Sequence, residues 1–261
     1  MQCKLAKLGT HSAALQHNFA RNLPSERTYI LDEHETFEGT PIHPLTVPII
    51  IEQECWFIVA TAVGSIRRLA RRGSKRRKQQ DLDEQINGKR NDESKARVAE
   101  TLIGLAAKAP RGKLQLLSDE KRTYQSLARR TFGDRVEHMT TSSKEPRTAS
   151  NPLFPINTMI TTAQDNCGRL RPKSWLATKK AACLAAHLHL FTAFRNFIRR
   201  RFNRDGENES PARFLGLMPR ALRWIEALRW RQDWGPRSPH PLSQSGSRSA
   251  AEPAQAVEQP T

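Results

Sequence analysis

The chain reads as α/β: a mixed sheet flanked by helices, with a helical C-terminal extension. Three observations predict this. Short β-branched or apolar runs lie at 28–31, 47–52, 56–62, 114–117 and 136–140. Segments with helical spacing separate the last three runs, and helix-period segments alone fill much of 156–231. A sheet covered by helices buries the apolar face of every such element.

The bulk composition bounds the possibilities. The 261 residues suit one domain with tails, or two small ones. Apolar residues make up 37% and charged residues 26%, so a core forms but much of the chain is surface. The formal net charge of +17 predicts attraction to polyanions, with nucleic acid first and an anionic membrane second. The four cysteines, Cys3, Cys55, Cys167 and Cys183, form no C-x-x-C pair, which excludes a zinc ribbon or finger. No secretory signal is visible, and reduced cysteines fit a cytoplasmic protein, which a DNA partner would make nucleoid-associated. The richest apolar stretch, 47–63, is broken by Glu52-Gln53-Glu54 and is too short to cross a bilayer, so no span is expected; the expected partner is nucleic acid, with no membrane partner.

Taken in order, residues 1–27 read as a helical segment that gives way to a loop at Asn22, Pro24 and Ser25. Thr28 to Leu31 is a short strand ending at Asp32. Pro41, Pro44 and Pro48 make 41–48 a turn or a sheet edge, because proline donates nothing to a ladder. Residues 47–52 and 56–62 flank a polar turn and predict a hairpin beside the Asp32 strand. From Arg67 to Lys78, eight of twelve residues are Lys or Arg, and 79–92 is polar; 66–92 therefore reads as a mobile basic insertion. Val98, Leu102, Leu105 and Ala106 share one face of a helix over 93–109, which Pro110 and Gly112 end. Leu114, Leu116 and Leu117 form a strand that delivers Ser118, Asp119 and Glu120. Tyr124, Leu127 and Ala128 suit a short helix, and 136–140 a last strand. Helices follow over 156–170, 175–202 and within 212–231. The Pro-, Ser- and Gly-rich tail, 236–261, is expected to be disordered, leaving 28–235 as the folded domain.

Two acidic clusters close predicted strands: Leu31-Asp32-Glu33-His34-Glu35 and Leu117-Ser118-Asp119-Glu120-Lys121. A carboxylate at a strand end can point into a crevice at the sheet edge. If the two strands are neighbours, Asp32 and Asp119 can share Mg2+ or Mn2+, which take hard oxygen ligands. Two such ions serve phosphodiester chemistry by activating the attacking oxygen and stabilising the leaving one. The alternative is that each Asp is a turn residue.

Several ordered motifs carry a resemblance. Leu31-Asp32-Glu33 through Phe37-Glu38-Gly39 resembles the first acidic motif of insertion-sequence transposases, and Ser118-Asp119-Glu120-Lys121-x-x-Tyr124 resembles the second. The most specific match is Asn151-Pro152-Leu153-Phe154-Pro155-Ile156-Asn157. Arg169-Leu170-Arg171, Ser174-Trp175, Lys179-Lys180 and Phe194-Arg195-Asn196-Phe197 follow in the family's order, so that the resemblance spans roughly residues 28–236. It implies a ribonuclease-H-like fold, DNA cleavage at element ends, and strand transfer by a 3′-hydroxyl with two magnesium ions. Asp32 and Asp119 inherit the first two acidic positions. The third position departs from the usual Glu: the matching residue is Asn157, 38 residues after Asp119. An Asn carbonyl can ligate magnesium without adding charge, or the residue can cap a helix. Asp165, eight residues further and about 12 Å along a helix, is a poor substitute.

Arg67, Arg68, Arg71, Arg72, Lys75, Arg76, Arg77, Lys78, Arg171, Lys179, Lys180, Arg199 and Arg200 are expected to contact double-stranded DNA, and Arg195, Arg201 and Arg204 crowd the end of the long helix with Arg199 and Arg200; the alternative is a solvated charged face. His34 reads as solvent-facing, and Trp175, Trp224, Trp230 and Trp234 as core or interface residues. Ser118 lacks a nucleophile elbow, and no Walker or Rossmann glycine pattern is present. The resemblance also implies a homo-oligomer on paired DNA ends. The short segment before the first strand predicts a truncated copy that lacks the family's N-terminal DNA-reading module. The competing functions are a catalytically inactive nucleic-acid-binding remnant and a basic structural protein.

Overall fold

A computed structural model describes residues 2–109, 112–142, 144–146, 148–171 and 178–230. The expectations for Ser174, Trp175, Trp234 and the 236–261 tail lie outside these residues. Contacts divide the chain into two units, Met1–Arg229 and Trp230–Thr261, and every helix and strand among the described residues lies in the first.

Thr28–Phe37 forms the central strand, β1, with β2 (Pro44–Glu52) antiparallel beside it from Tyr29↔Glu52 to Phe37↔Pro44. Beyond β2 lie β3 (Ile58–Thr61) and the two-residue β4 (Gly64–Ser65), both antiparallel to β2. On the other flank of β1 lie β5 (Leu114–Asp119) and β6 (Val136–Thr141), both parallel. The order is β3-β2-β1-β5-β6, with β2 antiparallel to every other strand. This is the ribonuclease-H-like arrangement.

Pro44 and Pro48 lie inside β2, not in the turn or edge that their residue type predicts. A strand residue's N–H and C=O point to the same side. The Pro48 carbonyl accepts from Ala62 N at 3.3 Å and the Pro44 carbonyl from Ile66 N at 3.0 Å. Both prolines therefore turn their missing donors toward the flank where β3 and β4 are interrupted, and the β1 ladder loses nothing.

One face of the sheet packs on α5 (Phe154–Asn166) and α6 (Ala181–Ala193). Ile30, Leu45, Val47, Ile49, Ile51 and Leu117 meet Ile156, Met159 and Ala163 of α5 and Leu184, Leu188 and Phe191 of α6. The period of two along β2 is the strand alternation. The opposite face is covered by α3 (Ser94–Ala106) and α4 (Arg122–Phe132), whose Tyr124, Ala128 and Phe132 recur every four residues. α1 (Gln2–Phe19) crosses α6, with Gly9 so close that a Cβ there would lie 2.7 Å from Ala186 Cα.

Within the expected mobile insertion, 75–87 forms a helix, α2 (Lys75–Asn87), capped by the Ser74 side chain accepting from Arg77 N. Its polar side anchors it: His43 Nε2 lies 2.8 Å from Asp83 Oδ2, and Gln80 bonds to Ala70 N and Arg68 O. The long helix expected over 175–202 instead ends in a π-helical turn, Phe194–Ile198. Two short helices, α7 (Pro211–Phe214) and α8 (Trp224–Arg229), complete the C-terminal extension. No helix among the described residues is long and apolar enough to cross a membrane.

Candidate active site

Asp32 is the fifth residue of β1, which continues for five residues beyond it. The strand does not end where the acidic run begins; what ends there is its neighbour. β5 stops at Asp119, and extending the register Thr28↔Gln115, Tyr29↔Leu116, Ile30↔Leu117 by two residues sets Asp32 beside Asp119. Adjacent strands run about 4.8 Å apart. Past this point β1 has no strand partner on the β5 side among the described residues, so the two aspartates stand where the β1–β5 ladder ends.

Their direction follows from alternation. Ile30 and Leu117, two residues earlier on each strand, belong to the core on the α5–α6 face. Asp32 and Asp119 therefore project to that face, and both are half-buried. Backbone amides steady them: Glu33 N donates to Asp32 Oδ1 at 2.7 Å, and Lys121 N donates to Asp119 Oδ1 at 3.0 Å, which leads the chain into α4. The Tyr124 phenol gives a second sign of proximity. Its pKa is raised chiefly by burial, then by the charge and hydrogen bond of Glu33, and then by the charges of Asp32 and Asp119.

Asn157 is the fourth residue of α5, past the cap position, which Leu153 occupies. The cap alternative for Asn157 is thereby removed. Asn151 instead shapes the turn before the helix: its Oδ1 accepts from Leu153 N at 2.8 Å and its Nδ2 donates to Pro146 O at 3.0 Å. Asn157 is half-buried, and Gln164, seven residues on, lies on the same stripe of the helix. Gln164 Nε2 sits 3.3 Å from Nε2 of His34, which lies two residues past Asp32 on the same side of β1. His34 is thus held against α5 rather than facing solvent, and burial lowers its pKa. Asp165 is exposed and paired with Arg171 at 3.0 Å.

Two carboxylates and an amide oxygen are hard donors. Among the described residues, no group of three or more His, Cys, Asp or Glu is arranged to hold a metal ion. The donor set still fits Mg2+ or Mn2+, because magnesium is commonly held by one or two carboxylates, with waters and substrate phosphates completing its shell. Asp32 and Asp119 would hold the ion, and Asn157, on the helix that packs against this face, is the candidate neutral third donor.

The basic residues fall into two groups. Arg67 donates twice to Glu84, at 3.0 and 3.1 Å, and Arg68 donates to both oxygens of Glu35. Arg77 pairs with Asp81, Arg171 with Asp165, and Arg76 reaches the Pro41 carbonyl. By contrast, Arg71, Arg72, Lys75, Lys78, Lys179, Lys180, Arg199 and Arg200 are exposed and have no acidic partner among the described residues. Arg195 does not join the exposed cluster. It is buried, donates to Arg201 O at 2.9 Å, and has its pKa lowered to about 10, chiefly by burial.

The Glu33 side chain, on the reverse face of β1, is a residue that sequence reasoning does not single out. It is 6% exposed and bonds to Thr46, Lys121 and Tyr124. Its signal is present but ambiguous: Lys121 and Tyr124 stand in the second acidic run, which gives no hint of their partner.

No protein-family model and no curated protein matches the sequence. Among solved structures, the chain is similar to the catalytic core domain of BIV integrase, at 11% identity over 72% of this chain and 92% of that one, with a TM-score of 0.37. It is also similar to a chain of the simian T-cell lymphotropic virus intasome in complex with PP2A regulatory subunit B56 gamma, at 11% identity over 90% of this chain and 65% of that one, with a TM-score of 0.34. The catalytic domain of Mos1 mariner transposase aligns at 13% identity over 73% of this chain and 90% of that one, with a TM-score of 0.29. The fold assignment rests on strand order and register.

Proposed function

We propose that this chain is a metal-dependent polynucleotidyl transferase of the insertion-sequence transposase kind, cleaving DNA at element ends and joining the 3′-hydroxyl to a target strand. The observation that carries the reading is the pair Asp32 and Asp119, level with each other on adjacent parallel strands and directed to one face of a ribonuclease-H-like sheet. In this reading the two carboxylates and Asn157 bind Mg2+ or Mn2+. A bound divalent ion would polarise a phosphodiester and lower the pKa of an attacking water. The chain's own residues supply the rest. The Glu33 and Lys121 amides fix the carboxylates, His34 and Gln164 hold α5 against β1, and the exposed cations attract double-stranded DNA. Assembly of two or more copies on paired ends belongs to the same proposal.

Nicking of supercoiled plasmid with Mg2+ or Mn2+ tests it. Asp32→Ala and Asp119→Ala should each reduce the rate at least about 100-fold, the scale of losing a metal-anchored electrostatic contribution. Metal-dependent nicking that survives both substitutions would sink the assignment. The second reading, DNA binding without cleavage, is favoured by the uncharged Asn157 at the third position; it expects salt-sensitive binding and no nicking by the unmodified chain.

A further inference from the structure

On the reverse face of the sheet, behind the two aspartates, Glu33 joins three elements. Its Oε1 accepts from Thr46 Oγ1 on β2 at 2.9 Å, and its Oε2 accepts from the Tyr124 hydroxyl on α4 at 2.8 Å. The Lys121 ammonium, at the start of α4, forms an ion pair with the same Oε2. Glu33 follows Asp32 directly, so its side chain points away from the Asp32–Asp119 face and is not itself a ligand there.

The connection closes through the backbone. The amide that holds Asp32 belongs to Glu33, and the amide that holds Asp119 belongs to Lys121. The side chains of these two residues are bonded to each other. Asp32, Glu33, Lys121 and Asp119 thus form one loop of contacts that passes behind the sheet and returns to its front. β5 ends at Asp119, so no ladder hydrogen bond beyond that residue fixes the spacing of the two strands. The ion pair spans the site where the ladder stops. Thr46 and Tyr124 are each 1% exposed, so the Glu33 carboxylate is fixed by neighbours that cannot drift.

We infer that Glu33, Lys121 and Tyr124 are positioning residues that set the separation of the Asp32 and Asp119 carboxylates for a divalent cation. The inference rests on the reading of those aspartates as the metal-binding pair. Outer partners of metal ligands act in this way by orienting the ligands before the ion arrives.

The test is Mn2+ affinity of the full chain, followed by the EPR signal of free Mn2+, with the metal-free melting temperature measured alongside. Lys121→Met and Tyr124→Phe should each weaken Mn2+ binding about 10–100-fold, with Lys121→Arg close to the unmodified chain. The Lys121 side chain is 45% exposed, so Lys121→Met removes no core packing, and with Tyr124→Phe it decides the matter if Glu33→Gln does not fold. A merely structural contact would lower the melting temperature and leave affinity unchanged. If Asp119→Ala abolishes binding while Lys121→Met and Tyr124→Phe bind as the unmodified chain does, the positioning role is wrong and the metal site stands. If the unmodified chain binds Mn2+ no better than the Asp32→Ala, Asp119→Ala double variant, the metal site itself is wrong, and the positioning role goes with it.

Discussion

The two tyrosines of the chain, Tyr29 and Tyr124, show how single side chains report on their surroundings, and Tyr124 on the site itself. Both are 1% exposed, and both have pKa values raised above the ordinary value of 10.0: burial is the first cause in each, followed by the charge of Glu52 for Tyr29 and of Glu33 for Tyr124. A phenol whose folded-state pKa is raised stays protonated while the unfolded chain ionises, so the unfolded state binds fewer protons above about pH 10 and stability falls with rising pH there. The expected result is that tyrosinate absorbance stays absent through pH 10 and rises together with loss of the circular dichroism signal. Half of the tyrosine ionising near pH 10 in the folded protein would contradict the buried Tyr124–Glu33 contact or its Tyr29 counterpart. The sequence marks Tyr124 as a motif member but not its partner, because Glu33 lies 91 residues away and alternation hides it behind Asp32.

At the scale of elements, the π-helical turn Phe194–Ile198 aims Asn196 at the outer strand of the sheet. Ile58 N donates to Asn196 Oδ1 at 2.9 Å, while Asn196 Nδ2 donates to Ile58 O at 2.8 Å and to Gln16 Oε1 at 3.0 Å. One amide thus satisfies a backbone donor and acceptor on β3 and ties α1 to the sheet. Asn196→Ala leaves the Ile58 N–H buried and unpaired, and should cost on the order of 3 kcal/mol by urea denaturation; a change below about 1 kcal/mol would show that the amide is not the link. Elements with a clean apolar period, such as β5 and α3, are legible in the sequence. β1 reads too short, because Asp32 to Glu35 looks like a turn when the strand's far half lacks a partner on one flank. α2 reads as mobile because its anchors, His43, Arg68 and Ala70, lie outside the helix.

For the whole molecule, the net charge of +17 draws attention to every basic run alike, but the basic side chains are not equally available to a polyanion. Arg67 and Arg68 are already bonded to Glu84 and Glu35, whereas Lys179 and Lys180 are exposed without an acidic partner among the described residues. Each phosphate contact adds about 0.9 to the slope of log affinity against log salt. Lys179→Ala with Lys180→Ala should therefore flatten that slope for duplex DNA by about 2, and Arg67→Ala with Arg68→Ala should change it by much less. Equal effects of the two pairs would mean that the glutamates do not hold the arginines back. The proposed function has a more local requirement: Asp32 and Asp119 must share one divalent cation on the α5 face of the sheet. Anomalous diffraction from crystals soaked in Mn2+ tests it most directly. The expected result is a peak about 2.1–2.2 Å from oxygens of both carboxylates, on the side where Asn157 lies. A well-occupied Mn2+ site elsewhere, with the two carboxylates bound to no ion, would contradict it.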